Sequence, residues 1–404
     1  MTNKLSLKKN FSLVLLGNAI YAFTQWLLVI MFSKLGSVTL VGDFSLGMAI
    51  VSPIFLFSSL QMRSLQSTDT NYKLSFHEYL STRLFLSLCA YVIVFVYSLV
   101  YTSEAYLMTI ILIIAFGKVI ESISDVIYAD YQRREYMRVI SASLILKGIV
   151  SSIIVLLSLL WQKNNVIVIT SLVISWIIVF VCYDLRKALS LGPIRITLPR
   201  RGVLIELLKK GIPLGFVSLI ISLNDSIPKL IIERQLGTEE LGYFSSIVYI
   251  TFAGGTVINA LGQSAAPRLA NHYINNIINF KRMVNKLALT GLLIGLLLIA
   301  IAYIFGDYIL SIAYTSDYLK YKKLFVLVML WASIGYVSSF YGYAMTAARK
   351  INVQPKIFIM VLIVIALLSL VLIQDYGLYG VVYAMIAGAI VQLISSYLVI
   401  LKIK

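Results

Sequence analysis

Runs of roughly 18 or more almost uninterrupted apolar residues recur from one end of this chain to the other. That pattern leaves few folds open. Backbone in hydrocarbon must satisfy its own N–H and C=O groups, so only helices and closed barrels can span a bilayer. Barrel strands alternate apolar and polar residues, whereas the runs here are continuous. The chain therefore reads as an all-α polytopic membrane protein. Its composition agrees, with 60% of 404 residues hydrophobic and 13% charged.

Twelve spans are expected, at about 11–32, 44–62, 82–101, 106–128, 139–160, 165–183, 211–232, 242–266, 287–306, 324–347, 356–373 and 378–401. A formal net charge of +17 would suggest nucleic acid in a soluble chain. Here the Lys and Arg residues gather in alternate loops. With the N-terminus inside, twenty-five of them are cytoplasmic and six are outside: Lys34, Lys163, Arg234, Lys320, Lys322 and Lys323. The positive-inside rule then places both termini in the cytoplasm and accounts for most of the charge without a nucleic-acid partner, though not for Lys118 and Lys147, which fall within spans. Thr39, Glu104 and Glu239 are expected outside; Thr70, Gln132 and Leu198 are expected inside. The lysine-rich outside loop Asp307–Lys323 is the weak point of this topology and reads as an interfacial helix. Cys89 and Cys182 lie in apolar runs and point to neither a disulfide nor a metal site. His77 and His272 lie in polar loops and read as solvated.

The basic segment 184–210, with Pro193 and Pro199, reads as a cytoplasmic linker between two six-span halves, 1–183 and 211–404. An internal echo supports this division. Leu35-Gly36 through Gly42-Asp43-Phe44-Ser45 joins spans one and two. Leu236-Gly237 through Gly242-Tyr243-Phe244-Ser245 joins spans seven and eight. Arg63 and Arg268 close the second span of each half, and Arg133-Arg134 and Arg349-Lys350 close the fourth. Six spans per half give both halves one orientation and a pseudo-twofold axis along the membrane normal.

Ionisable residues inside spans are costly and mark candidate sites. On span four, Lys118, Glu121 and Asp125 share one stripe at 100° per residue, with Ser122 on its flank. Such a stripe suits a water-filled cavity, or an ion-pair ladder between packed helices. Lys147 lies near the middle of span five, at a depth similar to Lys118, so the two lysines could serve one anionic group. Span seven carries Asn224, Asp225 and Lys229 and is expected to be broken at Pro228. Asp225 and Lys229, at i and i+4, read either as a coupling or gating pair or as a structural pair. Span one sets Asn18, Tyr21 and Gln25 on one face, and span eight does the same with Thr256, Asn259 and Gln263. These amides suit either interhelical hydrogen bonds or sugar binding. Tyr336, Tyr341 and Tyr343 could stack on sugar faces.

No GxxxxGK[ST] loop, HExxH element, cysteine cluster or GxSxG element is present. The chain thus reads as a transporter-like body rather than an enzyme, with no cofactor expected.

Gly211-Ile212-Pro213, Asn224-Asp225 followed by Pro228-Lys229, Leu236-Gly237 and Leu241-Gly242-Tyr243-Phe244 form an ordered set of landmarks. Further members are Gly262-Gln263, Pro267-Arg268, Asn18, Gln61-Met62-Arg63 and Gln132-Arg133-Arg134-Glu135. Together they resemble the polysaccharide flippases of the multidrug/oligosaccharidyl-lipid/polysaccharide exporter superfamily, over essentially the whole length. The resemblance implies two six-helix bundles that alternate between inward- and outward-open states. The implied substrate is an undecaprenyl-diphosphate-linked oligosaccharide, carried to the outer leaflet of a bacterial inner membrane for O-antigen or capsule biosynthesis. It also implies coupling to an H+ or Na+ gradient or the membrane potential. Membrane lipids and the polysaccharide polymerase and chain-length machinery are the implied partners. In that setting Lys118, Lys147, Arg63, Asn18, Gln25, Asn259 and Gln263 are candidate substrate-binding residues. Glu121, Asp125, Asp225, Pro228 and Lys229 are candidate coupling or gating residues. The alternative is an ion-coupled multidrug-type exporter of the same superfamily. Lysines in the cavity argue against its cationic substrates.

Overall fold

The computed structural model describes residues 7–69, 73–162, 164–191, 194 and 197–403. Thr70, Lys163 and Pro193 lie outside these, as do Lys4, Arg195 and Lys404 among the cytoplasmic charges counted. Helices dominate the described residues: α1 (Leu7–Met31), α2 (Val38–Ser58), α3 (Met62–Thr68), α4 (Phe76–Tyr101), α5 (Ala105–Arg133), α6 (Met137–Trp161), α7 (Asn165–Val179), α8 (Arg186–Leu191), α9 (Arg201–Leu236), α10 (Thr238–Asn275), α11 (Ile277–Ala313), α12 (Lys322–Ala347), α13 (Gln354–Tyr376) and α14 (Leu378–Leu401). Ten helices of the described residues are long and apolar enough to cross a membrane. The other two expected spans coincide with α5 and α9, which are 29 and 36 residues long. These are the helices that carry Lys118, Glu121 and Asp125, and Asp225 and Lys229.

The chain divides into two compact units, Met1–Gly36 with Asp43–Ser222, and Ser37–Gly42 with Leu223–Lys404. The division thus falls inside α9 rather than in the 184–210 segment. The early part of that segment is folded. Ala188 of α8 is buried with Ile127, Tyr128, Tyr131 and Ile140, and the Tyr131 hydroxyl donates to the Lys187 carbonyl at 3.0 Å.

In the first unit α1 packs on α6, α4 on α5, and α7 on both α5 and α6. α2 ends at a sharp turn, where Leu60 and Gln61 adopt left-handed φ values of 49° and 51°. Such a conformation costs side-chain-bearing residues about 1–2 kcal/mol each, so the surroundings must hold it. Gly211 and Gly215 of α9 allow that contact. A Cβ at Gly215 would lie 2.7 Å from the Phe57 carbonyl oxygen, and one at Gly211 would lie 2.9 Å from that of Leu60. Gln61 Nε2 also donates to Ser218 Oγ at 2.8 Å.

In the second unit α11 packs on α12, α13 on α14, and α12 also on α10 and α14. The segment expected as an interfacial helix, Asp307–Lys323, is instead the end of α11, to Ala313, then a short 3-10 turn, Ser316–Tyr321, and the start of α12. Tyr314 and Tyr318 stack at 4.6 Å and are fully buried. The Tyr321 hydroxyl donates to Glu240. The three lysines that looked out of place are each engaged. Lys320 lies over the rings of Tyr243 and Tyr321 at 4.7 and 4.9 Å. Lys322 pairs with Asp307 at 2.5 Å, and Lys323 lies 6.0 Å from the Tyr379 ring centre.

Pro228 does not break its span: α9 is continuous from Arg201 to Leu236. Proline removes one N–H from the ladder, and the flanking turns keep the rest. Two turns singled out by the internal echo share one geometry. Glu135 and Arg349 both have positive φ, 66° and 56°. Tyr136 N–H bonds the Tyr131 carbonyl and Lys350 N–H the Met345 carbonyl, each at 2.9 Å. Both are six-to-one closures of a helix C-terminus.

Candidate functional site

α5 supplies the spine of the site. At its back, Gly117 lies against Trp176 of α7, where a Cβ would come within 2.8 Å of the ring. That close approach leaves the face carrying Lys118, Glu121, Ser122 and Asp125 turned to a cavity of about 230 Å³. The cavity belongs wholly to the first unit. Its wall is completed by α2, the Ser59–Gln61 turn, Arg63 of α3 and Arg83 of α4.

The turn at Leu60-Gln61 aims Arg63. Its Nη1 lies 3.3 Å from Asp125 Oδ1 and its Nε donates to Gln132 Oε1 at 3.3 Å. Lys118 Nζ donates to Glu121 Oε2 at 2.7 Å. Arg83 is placed by the start of α4. The Ser75 hydroxyl accepts from the Glu78 N–H, and the Glu78 carboxylate accepts from the Ser75 N–H, a reciprocal cap. Two turns further on, Arg83 is only 4% exposed. Its Nη2 donates to Ser122 Oγ at 3.0 Å, and its Nη1 is buried with no acceptor among the described residues. A buried unmet donor costs about 1–3 kcal/mol, more when charged. The lining thus holds three cations and two carboxylates.

Of the expected site residues, the structure brings Lys118, Glu121, Asp125 and Arg63 together. Lys147, on α6, is not part of that lining. It is buried, 3.1 Å from Asp184 Oδ2, donates to Ser124 Oγ at 2.9 Å and lies 5.0 Å from the centre of the Tyr128 ring. Asp184 also accepts from the hydroxyls of Ser124, Tyr128 and Ser143. The Tyr128 ring that Lys147 meets is shared with Arg63 of the cavity lining, whose guanidinium carbon lies 5.5 Å from the ring centre. On α1, Asn18 is exposed and Gln25 half-buried; neither lines the cavity.

The remaining candidates lie in the second unit. Lys229 Nζ donates to Asp225 Oδ2 at 2.6 Å, with Pro228 one residue before the lysine in the same helix. Asn259 and Gln263 are exposed on α10. The Tyr343 hydroxyl donates to Asn259 Oδ1 at 3.4 Å. Tyr336 is committed to packing, buried with Ile258, Ala332 and Phe340 and donating to the Thr251 carbonyl at 2.8 Å.

Sequence reasoning missed Arg83 and Asp184. Arg83 was counted only among the charges that set topology. The Ser75-x-x-Glu78 capping box, which starts the helix at Phe76, would have placed it two turns inside. Asp184 was assigned to the linker, although the helical course continues through it as a wide turn, Phe180–Leu185.

Residues 7–272 match the family described as polysaccharide biosynthesis protein. The chain belongs to that family. A curated relative, the capsular polysaccharide biosynthesis protein CapF of Staphylococcus aureus, is 30% identical over 393 residues, covering 96% of this chain and 98% of the relative. Among solved structures, the lipid II flippase MurJ in an inward closed conformation superposes with a TM-score of 0.78 at 12% identity, over 97% of this chain and 87% of that one. An inward-facing multidrug resistance MATE family transporter of the MOP superfamily gives 0.66 at 14% identity, over 100% and 97%. These likenesses show a shared helical fold. This family member is accordingly a multi-pass membrane protein.

Proposed function

We propose that this protein is a flippase that carries undecaprenyl-diphosphate-linked oligosaccharide repeat units from the cytoplasmic to the outer leaflet of a bacterial inner membrane, for a cell-surface polysaccharide. One observation carries the reading: a cavity within a membrane-spanning unit is lined by Arg63, Arg83 and Lys118 against only Glu121 and Asp125. A diphosphate loses hydration on entering a low-dielectric interior, and fixed cations offset that loss through charge-assisted hydrogen bonds. Membership of a polysaccharide biosynthesis family supports the same substrate class. Glu121 and Asp125 keep the empty cavity from being strongly positive, and either could take part in ion coupling. Within the first unit, Asn18 and Gln25 are proposed as contacts to the sugar portion; within the second, Asn259 and Gln263 are proposed separately as sugar-binding groups. We assign both termini to the cytoplasm on the charge bias of the loops.

Deleting the gene in its host and extracting lipids tests the proposal. An undecaprenyl-linked oligosaccharide should accumulate, and restoring the gene should clear it and return polysaccharide to the surface. A deletion strain with normal surface polysaccharide and no such lipid would sink the reading. The multidrug-exporter alternative requires a cavity suited to cations, and an excess of one positive charge in the lining disfavours it.

A further inference from the structure

The three cations of the cavity are not equivalent. Lys118 is engaged by Glu121 at 2.7 Å, and Arg63 by Asp125 at 3.3 Å. Among the described residues Arg83 has only a neutral hydrogen-bond acceptor, Ser122, and its Nη1 has none; Asp125 and Glu121 act on it through space without a bond. It is also the most buried of the three, whereas the Arg63 side chain is 41% exposed.

We propose that Arg83 is the anchoring donor to a phosphoryl oxygen in this cavity, and that Asp125 and Glu121 are internal counter-ions that compete with the ligand for Arg63 and Lys118. The proposal deepens the flippase reading and rests on it. A phosphoryl oxygen arriving at Arg83 meets an unused donor and displaces no existing bond. The planar guanidinium can hold Ser122 with one nitrogen and the ligand with the other. Arg63 and Lys118 can join only by exchanging a carboxylate oxygen for a phosphoryl oxygen. That swap replaces one charge-assisted bond with another, so it adds specificity with little net gain in affinity. The carboxylates remain beside the ligand and reclaim their cations as it leaves. A cavity built this way grips a diphosphate without trapping it.

The test uses the purified full-length protein in phosphatidylcholine nanodiscs and three probes: farnesyl diphosphate, inorganic pyrophosphate and farnesol. The wild type should bind farnesyl diphosphate, less tightly as salt rises, and should not bind farnesol. Losing one charge-assisted hydrogen bond should weaken Arg83→Gln by about tenfold or more. Arg83→Lys, which serves if the glutamine variant does not fold, should lose several-fold, because an ammonium cannot reproduce the fork. Asp125→Asn and Glu121→Gln should bind farnesyl diphosphate more tightly, the opposite sign to losing a ligand contact. Pyrophosphate binding that depends on Arg83 would mark a site that reads the headgroup alone. Binding of farnesyl diphosphate but not pyrophosphate would mark one that also needs the lipid. Both outcomes support the anchor. Wild-type affinity in folded Arg83→Gln or in Arg83→Lys overturns it, as does farnesol binding equal to farnesyl diphosphate. Weaker binding by the two carboxylate variants overturns the counter-ion role. The flippase reading itself is judged separately, by whether the wild-type gene restores surface polysaccharide to a deletion strain.

Discussion

Lys147 Nζ lies 3.1 Å from the Asp184 carboxylate, and both side chains are almost completely buried, at 7% and 1% exposure. The two residues are drawn from α6 and the wide turn after α7, and Ser124 and Tyr128 of α5 complete the cluster. This buried knot ties three elements behind the cavity. Through Ser124 and Tyr128 it holds the helix that carries the cavity-facing stripe.

Breaking such a pair from one side leaves an uncompensated buried charge, at a cost of about 3–5 kcal/mol. Lys147→Gln should therefore lower the detergent melting temperature and the yield of folded protein. The double variant Lys147→Met/Asp184→Asn should recover much of the loss. Melting curves of the three proteins check this. A single variant as stable as the wild type would mean that the knot is not what holds α5.

Lys118 faces the cavity, so its substitution should act on transport rather than folding. Lys118→Gln should reach the membrane at normal levels and restore polysaccharide export poorly, with Lys118→Arg closer to the wild type. Complementation scored together with membrane abundance separates the two effects. Export at the wild-type rate by the glutamine variant would remove Lys118 from the proposed mechanism.

Helices were legible in the sequence because hydropathy reports run length directly, and a run that fills a bilayer needs no tertiary information. The stripe Lys118, Glu121, Asp125 was legible for a similar reason, since helical periodicity alone puts those residues on one face. The counter-charge of Lys147, Asp184, was not legible because only packing brings the two together. Depth in the membrane put Lys147 near the level of Lys118, and tertiary structure adds an acidic partner, Asp184. Pro228 was read as a break because local propensity penalises it, yet a helix of 36 residues absorbs one missing hydrogen bond. Arg83 was missed by treating the edge of an apolar run as the edge of its helix.

Gly42 and Gly242 make reciprocal contacts. A Cβ on Gly42 would collide with the Thr238 carbonyl oxygen, and one on Gly242 with that of Val38. Backbone cannot rotate aside as a side chain does, so Gly42→Ala and Gly242→Ala should each cost about 1–3 kcal/mol, the range for overpacking. Gly202→Ala, with open space around it, is the control and should melt like the wild type. Equal melting temperatures for all three variants would show that the close approach is not needed.

The loops give a topology test with structural support. Thr39, Glu104 and Glu239 are exposed, and cysteines there should label with membrane-impermeant reagents in intact cells. Leu198 and Arg138 are also exposed and should label only after the membrane is opened. Arg138 is preferred to Gln132, which is half-buried and bonded to Arg63. Labelling of Arg138→Cys from outside would overturn the proposed orientation. Cys89 and Cys182, both exposed in apolar helices, must be replaced first.

Asp225 and Lys229 form a lopsided pair. The lysine side chain is 11% exposed and the aspartate 53%, with Nζ and Oδ2 2.6 Å apart. Removing the lysine leaves a carboxylate that solvent can reach, whereas removing the aspartate leaves a buried ammonium without its counter-charge. On packing grounds alone, Asp225→Asn should therefore lower folded yield more than Lys229→Gln, and the double variant should recover it. A coupling or gating role makes a different demand. The double variant would then be folded and abundant yet export poorly, because neither charge remains to respond to substrate or ion. Measuring membrane abundance and polysaccharide export for both singles and the double separates these accounts. Full export by the double variant confines the pair to holding α9 together. Normal abundance with lost export assigns it to transport.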